Sequence, residues 1–177
     1  VADDAGELTA GAVVHVVQNG EWSVVAWLWQ AFRQDLSPVV GGLPYADGRF
    51  GAAPLQGFPS DDGVGYVVRR PHPNTGEQAP VAFALVSGVR SARWSMAAFW
   101  IAAPVRRTGL GRAFALDVLR RHPAPWEIGF QHDNAAAGGF WRRVADEAFG
   151  PGRWSEVEEP VPGKPDVPPD HFIRTTG

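Results

Sequence analysis

Residues 104 to 121 read PVRRTGLGRAFALDVLRR, an apolar run giving way to two arginines, a threonine and a Gly-Leu-Gly triplet before helical periodicity begins. The first N–H groups of a helix have no intrahelical partner, and the helix dipole adds partial positive charge to them. Glycines let backbone approach a ligand closely, and flanking arginines supply charge-assisted bonds. The chemistry offered is capture of an anion, phosphate above all. An ordinary strand-to-helix turn uses the same residue types. Two familiar phosphate loops are excluded: GxxxxGK[ST] does not occur, and Ala113 and Phe114 stand where GxGxxG would need another glycine.

Few side chains could move a proton. Asp35 lies on the edge of an apolar helical stripe, four residues after Ala31 and seven after Leu28, facing either a pocket or solvent near a helix end. Asp47, in YADGRF, is first a turn residue of an Asp-Gly pair, with a pocket carboxylate as the alternative. His132 and Asp133 join a strand to a helix, where capping competes with a general-base role, and His72 falls in a hairpin loop. The five histidines show no zinc-binding spacing, so no metal site is expected. The absence of cysteine excludes disulfides and a cysteinyl acyl-enzyme.

The elements that must position these groups follow from periodicity. A strand is expected in AVVHVVQ (12 to 18) and a helix over 21 to 36, where Val25, Leu28, Trp29, Phe32 and Leu36 make one face. Trp27 and Trp29 cannot share that face, so one of them is directed to a ligand pocket or a subunit interface. Residues 37 to 63 are rich in turn formers, with one irregular helix among them. VGYVVRR and PVAFALVSGV form a hairpin and WSMAAFWIAA (94 to 103) a third strand. A helix follows with Leu110, Ala113, Phe114 and Val118 in a stripe. Then come a strand over 126 to 131 and a helix over 134 to 149, capped by Asn134, with Ala137, Phe140, Trp141, Val144 and Ala148 on one face. A strand over 154 to 158, the proline-rich 159 to 170 and a strand in HFIRTT close the chain. The expected fold is α/β (α+β): a mixed, mostly antiparallel sheet of about six to seven strands flanked by about four helices, in one domain over residues 1 to 177.

A net charge of −3 with a single lysine, Lys164, argues against nucleic-acid binding. No apolar run reaches the roughly 18 residues of a membrane span, and VADDAGELTAGAVV lacks the basic and apolar regions of a leader. A soluble, cytoplasmic protein is expected.

RxxGxG at Arg106 to Gly111, set between an apolar strand and a helix and followed by a strand and an Asn134-initiated helix bearing Phe140 and Trp141, resembles the GNAT superfamily of acetyl-CoA-dependent N-acyltransferases. The resemblance is strongest over 94 to 145, and the element order from 12 to 176 agrees with it. It implies that Arg106, Arg107, Thr108, Gly109, Leu110, Gly111 and Arg112 hold the coenzyme pyrophosphate. Ile101, Ala102 and Ala103 would meet pantetheine, and Asn134, Phe140 and Trp141 would flank the coenzyme arm. Segments 22 to 62 and 159 to 170 would build an acceptor pocket, with Asp35 or Asp47 as catalytic carboxylate. The implied partners are acetyl-CoA and a small primary amine, with the protein a monomer or homodimer. Two departures stand out: Trp141 occupies the position of a common tyrosine acid, and SMAAFWI has no glutamate near Ala98. They keep open a degenerate fold that binds acyl-CoA as a sensor or structural partner. A protein or peptide N-acetyltransferase is the other alternative.

Overall fold

In a computed structural model, residues 6 to 8, 11 to 123 and 125 to 175 are described. In chain order the elements are β1 (Gly6–Glu7), β2 (Val13–Val16), α1 (Trp22–Val40), β3 (Gly63–Pro71), β4 (Gln78–Ser87), β5 (Trp94–Ile101), α2 (Leu110–Arg121), β6 (Trp126–Phe130), α3 (Ala135–Phe149), β7 (Trp154–Glu159) and β8 (Asp170–Thr175). The strands form one sheet in the order β1-β2-β3-β4-β5-β6-β8-β7. Every neighbouring pair is antiparallel except β5 and β6, which α2 joins by a crossover. The short β1, which pairs with β2, extends the expected six to seven strands to eight.

β3 and β4 read as nearly continuous apolar runs because both faces of the sheet are covered. Tyr66, Val68, Ala82, Ala84 and Val86 point into the core shared with α2 and α3. The alternate residues Val67, Phe83 and Leu85 point into the core shared with Val25 and Trp29 of α1. Burying each such Val, Leu or Phe contributes about 1.5–3 kcal/mol. The α3 stripe is shifted from the expected one: Ala148 is exposed, while Gly138 and Ala145 are buried.

The described residues hold three α-helices. The irregular helix expected in 37 to 63 is a single 3-10 turn at Ala53–Gly57. Its segment folds back onto α1, where Trp29 Nε1 donates to Gly51 O at 2.9 Å and Gln30 exchanges two bonds with the Phe50 backbone. Trp29 is thus the buried member of its pair, and Trp27 is 76% exposed.

α1 runs past Leu36 to Val40, through Pro38. Pro38 has no N–H to offer the Gln34 carbonyl, but Ser37 Oγ donates to that oxygen at 2.8 Å. Gly41, at φ 63°, then closes the helix with its N–H on Ser37 O. The extra turn keeps Asp35 and Leu36 in regular helix.

The α2–α3 side of the core encloses a buried tyrosine–histidine pair. Tyr66 Oη lies 2.8 Å from His122 Nε2, and His122 O accepts from Trp126 Nε1 at 2.9 Å. Burial raises the Tyr66 hydroxyl to about 12 and lowers the His122 imidazole to about 4, so the histidine is neutral and its ring packs on Trp94.

Candidate active site

β5 and β6 pair only at Trp94↔Trp126 and Ser95↔Glu127. Beyond that point β6 pairs with β8, while β5 continues to Ile101 on β4 alone. The separation coincides with a bulge: Met96 faces Val86 and Ala98 faces Leu85, so Ala97 has no counterpart on β4. A bulge bends its strand, and this one turns Met96 and Ala98 into opposite cores. Ala97 and Gly129, on the two sides of the gap, are both exposed.

Two cavities fill the opening. One of about 450 Å³ runs from Arg106, Arg107 and Gly111 to Trp141. The other, about 110 Å³, reaches between the strands to Ala97, Ala98 and Gly129. They share Phe32, Leu36, Phe99, Asn134, Ala137 and Trp141, and so form one cleft.

At its wide end lies the arginine-glycine turn. Arg107 takes φ 63° and Gly109 φ 89°, which bend the chain sharply before α2. A non-glycine residue in the left-handed region is uncommon and marks a site worth a functional reading. Thr108 Oγ1 donates to Val105 O at 2.8 Å and secures the turn. Among the described residues, backbone bonding resumes with Ala113 N on Gly109 O at 3.0 Å; the N–H groups of 107 to 112 have no acceptor. Leu110 is buried, and of the turn expected to hold a pyrophosphate only Arg106, Arg107 and Gly111 line the cleft; Thr108, Gly109, Leu110 and Arg112 do not. Arg112 is drawn away to Glu147 on α3, its Nε bonding Oε2 at 2.6 Å.

Arg106 reaches the other way. Its Nε donates to Ile101 O at 2.8 Å, and its Nη2 bonds Asp35 Oδ2. Trp100 Nε1 donates to the same carboxylate oxygen at 2.8 Å. Asp35 therefore faces the cleft, one of the two alternatives its helical position allowed. Asp47 is elsewhere: it accepts from Arg49 N at 3.0 Å and Arg49 Nε at 2.9 Å within an exposed turn, bonds that hold its carboxyl below the ordinary range. It lines neither cavity.

Asn134 caps α3 as expected, accepting from Ala137 N at 3.1 Å, and it lines both cavities. Trp141 is 5% exposed and stands edge-on to Phe99 and Phe140, with centroids 5.1 and 4.9 Å apart. Ile101 lines the cleft, whereas Ala102 N–H is taken by Val81 O at 2.8 Å, and neither Ala102 nor Ala103 lines it. None of the lining residues comes from 37 to 62 or 159 to 170. Instead, the first segment braces α1, as its bonds to Trp29 and Gln30 show. Trp100 and Phe99 belong to the site without having been singled out from the sequence. A tryptophan in an apolar strand carries no local mark that its N–H serves a carboxylate on another element.

No protein-family model and no curated protein matches this sequence. Solved structures do match its fold. NAA60 of Arabidopsis thaliana, in complex with a bisubstrate analogue, superposes with TM-score 0.63 at 10% identity, over 93% of this chain and 98% of that one. A histone acetyltransferase HPA2 and related acetyltransferase from Corynebacterium glutamicum gives 0.62 at 16% identity, over 94% and 96%. The ribosomal-protein-S5-alanine acetyltransferase of Vibrio fischeri gives 0.61 at 11% identity, over 98% and 96%. With its single parallel pair opening beside an arginine-glycine turn, and with these neighbours over nearly its whole length, the chain has the fold of the GNAT acetyltransferases.

Proposed function

We propose that this protein is an N-acetyltransferase that moves the acetyl group of acetyl-CoA directly to a primary amine of a small molecule. The observation that carries the reading is the joining of two features in one cleft. A turn with free N–H groups from 107 to 112 lies at its wide end, and a narrow gap between parted strands lies at the other. The turn suits a pyrophosphate, and the unpaired edge of β5 suits the amides of a pantetheine arm. Phe99, Phe140 and Trp141 give that arm an apolar wall.

Such a site needs only modest chemistry. Holding an amine against a thioester supplies much of the acceleration, and backbone donors near the carbonyl stabilise the oxyanion. Among the described residues Asp35 Oδ1 has no bonded partner, so the carboxylate can still attract an acceptor ammonium. That favours a cationic small molecule.

A non-catalytic acyl-CoA binder remains the second reading, favoured by Trp141: an indole N–H is no acid for a leaving thiolate. Calorimetry with acetyl-CoA, paired with thiol release over a panel of amines and peptides, tests both. Binding with amine-dependent thiol release is expected. Binding without release favours the second reading, and no binding removes both.

A further inference from the structure

On the α3 side of the sheet, four side chains from four elements are joined end to end. Arg142 of α3 makes two bonds to Glu156 of β7, Nε to Oε2 and Nη2 to Oε1, both 2.7 Å. Glu156 Oε1 lies 2.7 Å from Nδ1 of His171 on β8. His171 Nε2 lies 3.0 Å from Nδ1 of His132, in the turn between β6 and α3. Packing holds the row in place. The Phe130 and His171 rings stack 5.3 Å apart with 6° between their planes, and Arg142 lies over the other ring of that stack, 5.4 Å from the Phe130 centroid.

Hydrogen-bond logic fixes the protons along this row. Its bonds from Arg142 hold the Glu156 carboxyl below its ordinary range, so Glu156 only accepts and His171 Nδ1 carries a hydrogen. In neutral His171 the Nε2 is then a lone pair, which makes His132 Nδ1 the donor. The consequence is a bare, basic Nε2 on neutral His132. Acidic groups adjoin the two histidines. Glu158 Oε1 is 3.9 Å from His171, and Asp170 and Asp133 adjoin the two histidines in the chain. Burial raises the Asp170 carboxyl; His171 and Lys164 oppose that rise. Arg142 is already spent on Glu156.

The row ends beside the cleft. Gln131 and Asn134, on either side of His132, line its narrow cavity, while His132 itself is exposed between them and lines neither cavity. Asp35, in contrast, already receives Trp100 and Arg106 on one oxygen. That oxygen is already occupied, whereas His132 Nε2 keeps a lone pair open to a proton.

We propose that Nε2 of His132 takes the proton from the acceptor ammonium, with His171 and Glu156 as positioning residues that set its tautomer; this rests on the transferase reading above. The ammonium gives one proton to His132 Nε2. The freed nitrogen pair forms the C–N bond to the thioester carbon, and the carbonyl π pair moves to oxygen. Collapse restores C=O and breaks C–S, with that pair leaving on sulfur. A second ammonium proton goes to the thiolate, and His132 returns its own to solvent.

The test uses the full chain, acetyl-CoA and a panel comprising a polyamine, an aminoglycoside and an alanine-ended peptide. His132→Ala should lower kcat about 100-fold while calorimetric acetyl-CoA affinity stays unchanged. His171→Phe keeps a ring on Phe130 but removes the acceptor for His132, so the acidic limb of the pH–rate profile should move to lower pH. Wild-type kcat in His132→Ala, or an unmoved limb in His171→Phe, overturns the relay alone. Absence of acetyl-CoA binding, or of thiol release from every acceptor, overturns the transferase reading and the relay with it.

Discussion

The guanidinium of Arg106 ends on the carboxylate of Asp35, 71 residues earlier in the chain, and so bridges the turn before α2 to α1 across the cleft. The residue best placed to meet a pyrophosphate is thus already paired with the residue best placed to meet an amine. Under the proposed function, a coenzyme phosphate and Asp35 would compete for one cation. Any anion that draws Arg106 away also leaves Asp35 with Trp100 alone, and more open to a cationic acceptor.

Replacing Asp35 by Asn should therefore tighten acetyl-CoA binding rather than weaken it. Both side chains are 43% exposed, and a pair so screened is worth about 0.2–1 kcal/mol, or up to about fivefold in affinity. Calorimetry at low ionic strength should show the gain, and high salt should erase it. Transfer to a cationic acceptor should fall in the same variant.

Gly109 has φ 89° and nothing within 4 Å of where a side chain would begin. A valine there is strained by roughly 1–3 kcal/mol and stands in the space above the free N–H groups. Gly109→Val should lower acetyl-CoA affinity about tenfold or more. Gly76→Val is the control: it is another positive-φ glycine with open surroundings, in the β3–β4 hairpin, and should lose comparable stability with no change in coenzyme affinity.

Trp141 packs against Phe99 and Phe140 and also lines the cleft. Trp141→Ala should destabilise the fold by about 3–5 kcal/mol and raise the KM for acetyl-CoA more than it lowers kcat. Trp141→Tyr should keep the coenzyme KM close to that of the wild type. Steady-state kinetics with varied acetyl-CoA separates the two parameters. A tyrosine variant with greatly increased kcat would show that thiolate protonation limits the reaction.

The Tyr66–His122 pair makes stability depend on pH. His122 falls from its ordinary value near ~6.5 to about 4 on folding, so between those values the unfolded chain binds more protons than the folded one. The stability His122 contributes is complete above the upper value and is lost as pH falls toward about 4. Urea midpoints measured from pH 7 to pH 4 should decline, and His122→Gln should decline less steeply over that window.

Much of the geometry around the arginine-glycine turn and the α3 start was legible because it is local. The anion turn, its glycines and the Asn134 cap lie within a few residues of the helices they open, and their signatures are those of backbone geometry. The acceptor side was not. Residues 37 to 62 have the turn composition of a pocket wall, but the backbone bonds of Phe50 and Gly51 go to α1. For Asp47 the Asp-Gly pair already pointed to a turn, and its bonds to Arg49 decide for the turn over the pocket alternative. For His132 the sequence leaves capping and a general-base role open; the cap of α3 is Asn134, as its spacing predicts.

What the sequence by itself determined is the set of elements and their buried faces. Period-two alternation and helical stripes record which side of each backbone must leave water, and that requirement acts residue by residue. It also determined the turn, since a missing intrahelical bond is a property of a helix start wherever it sits. The tertiary structure alone decided which side chains meet: Asp35 with Arg106 and Trp100, and Glu156 with His171 and His132. It also decided that β5 and β6 part after two paired residues. Contacts between distant elements depend on strand order and on the bend of a bulged strand, and neither leaves a periodic trace along the chain.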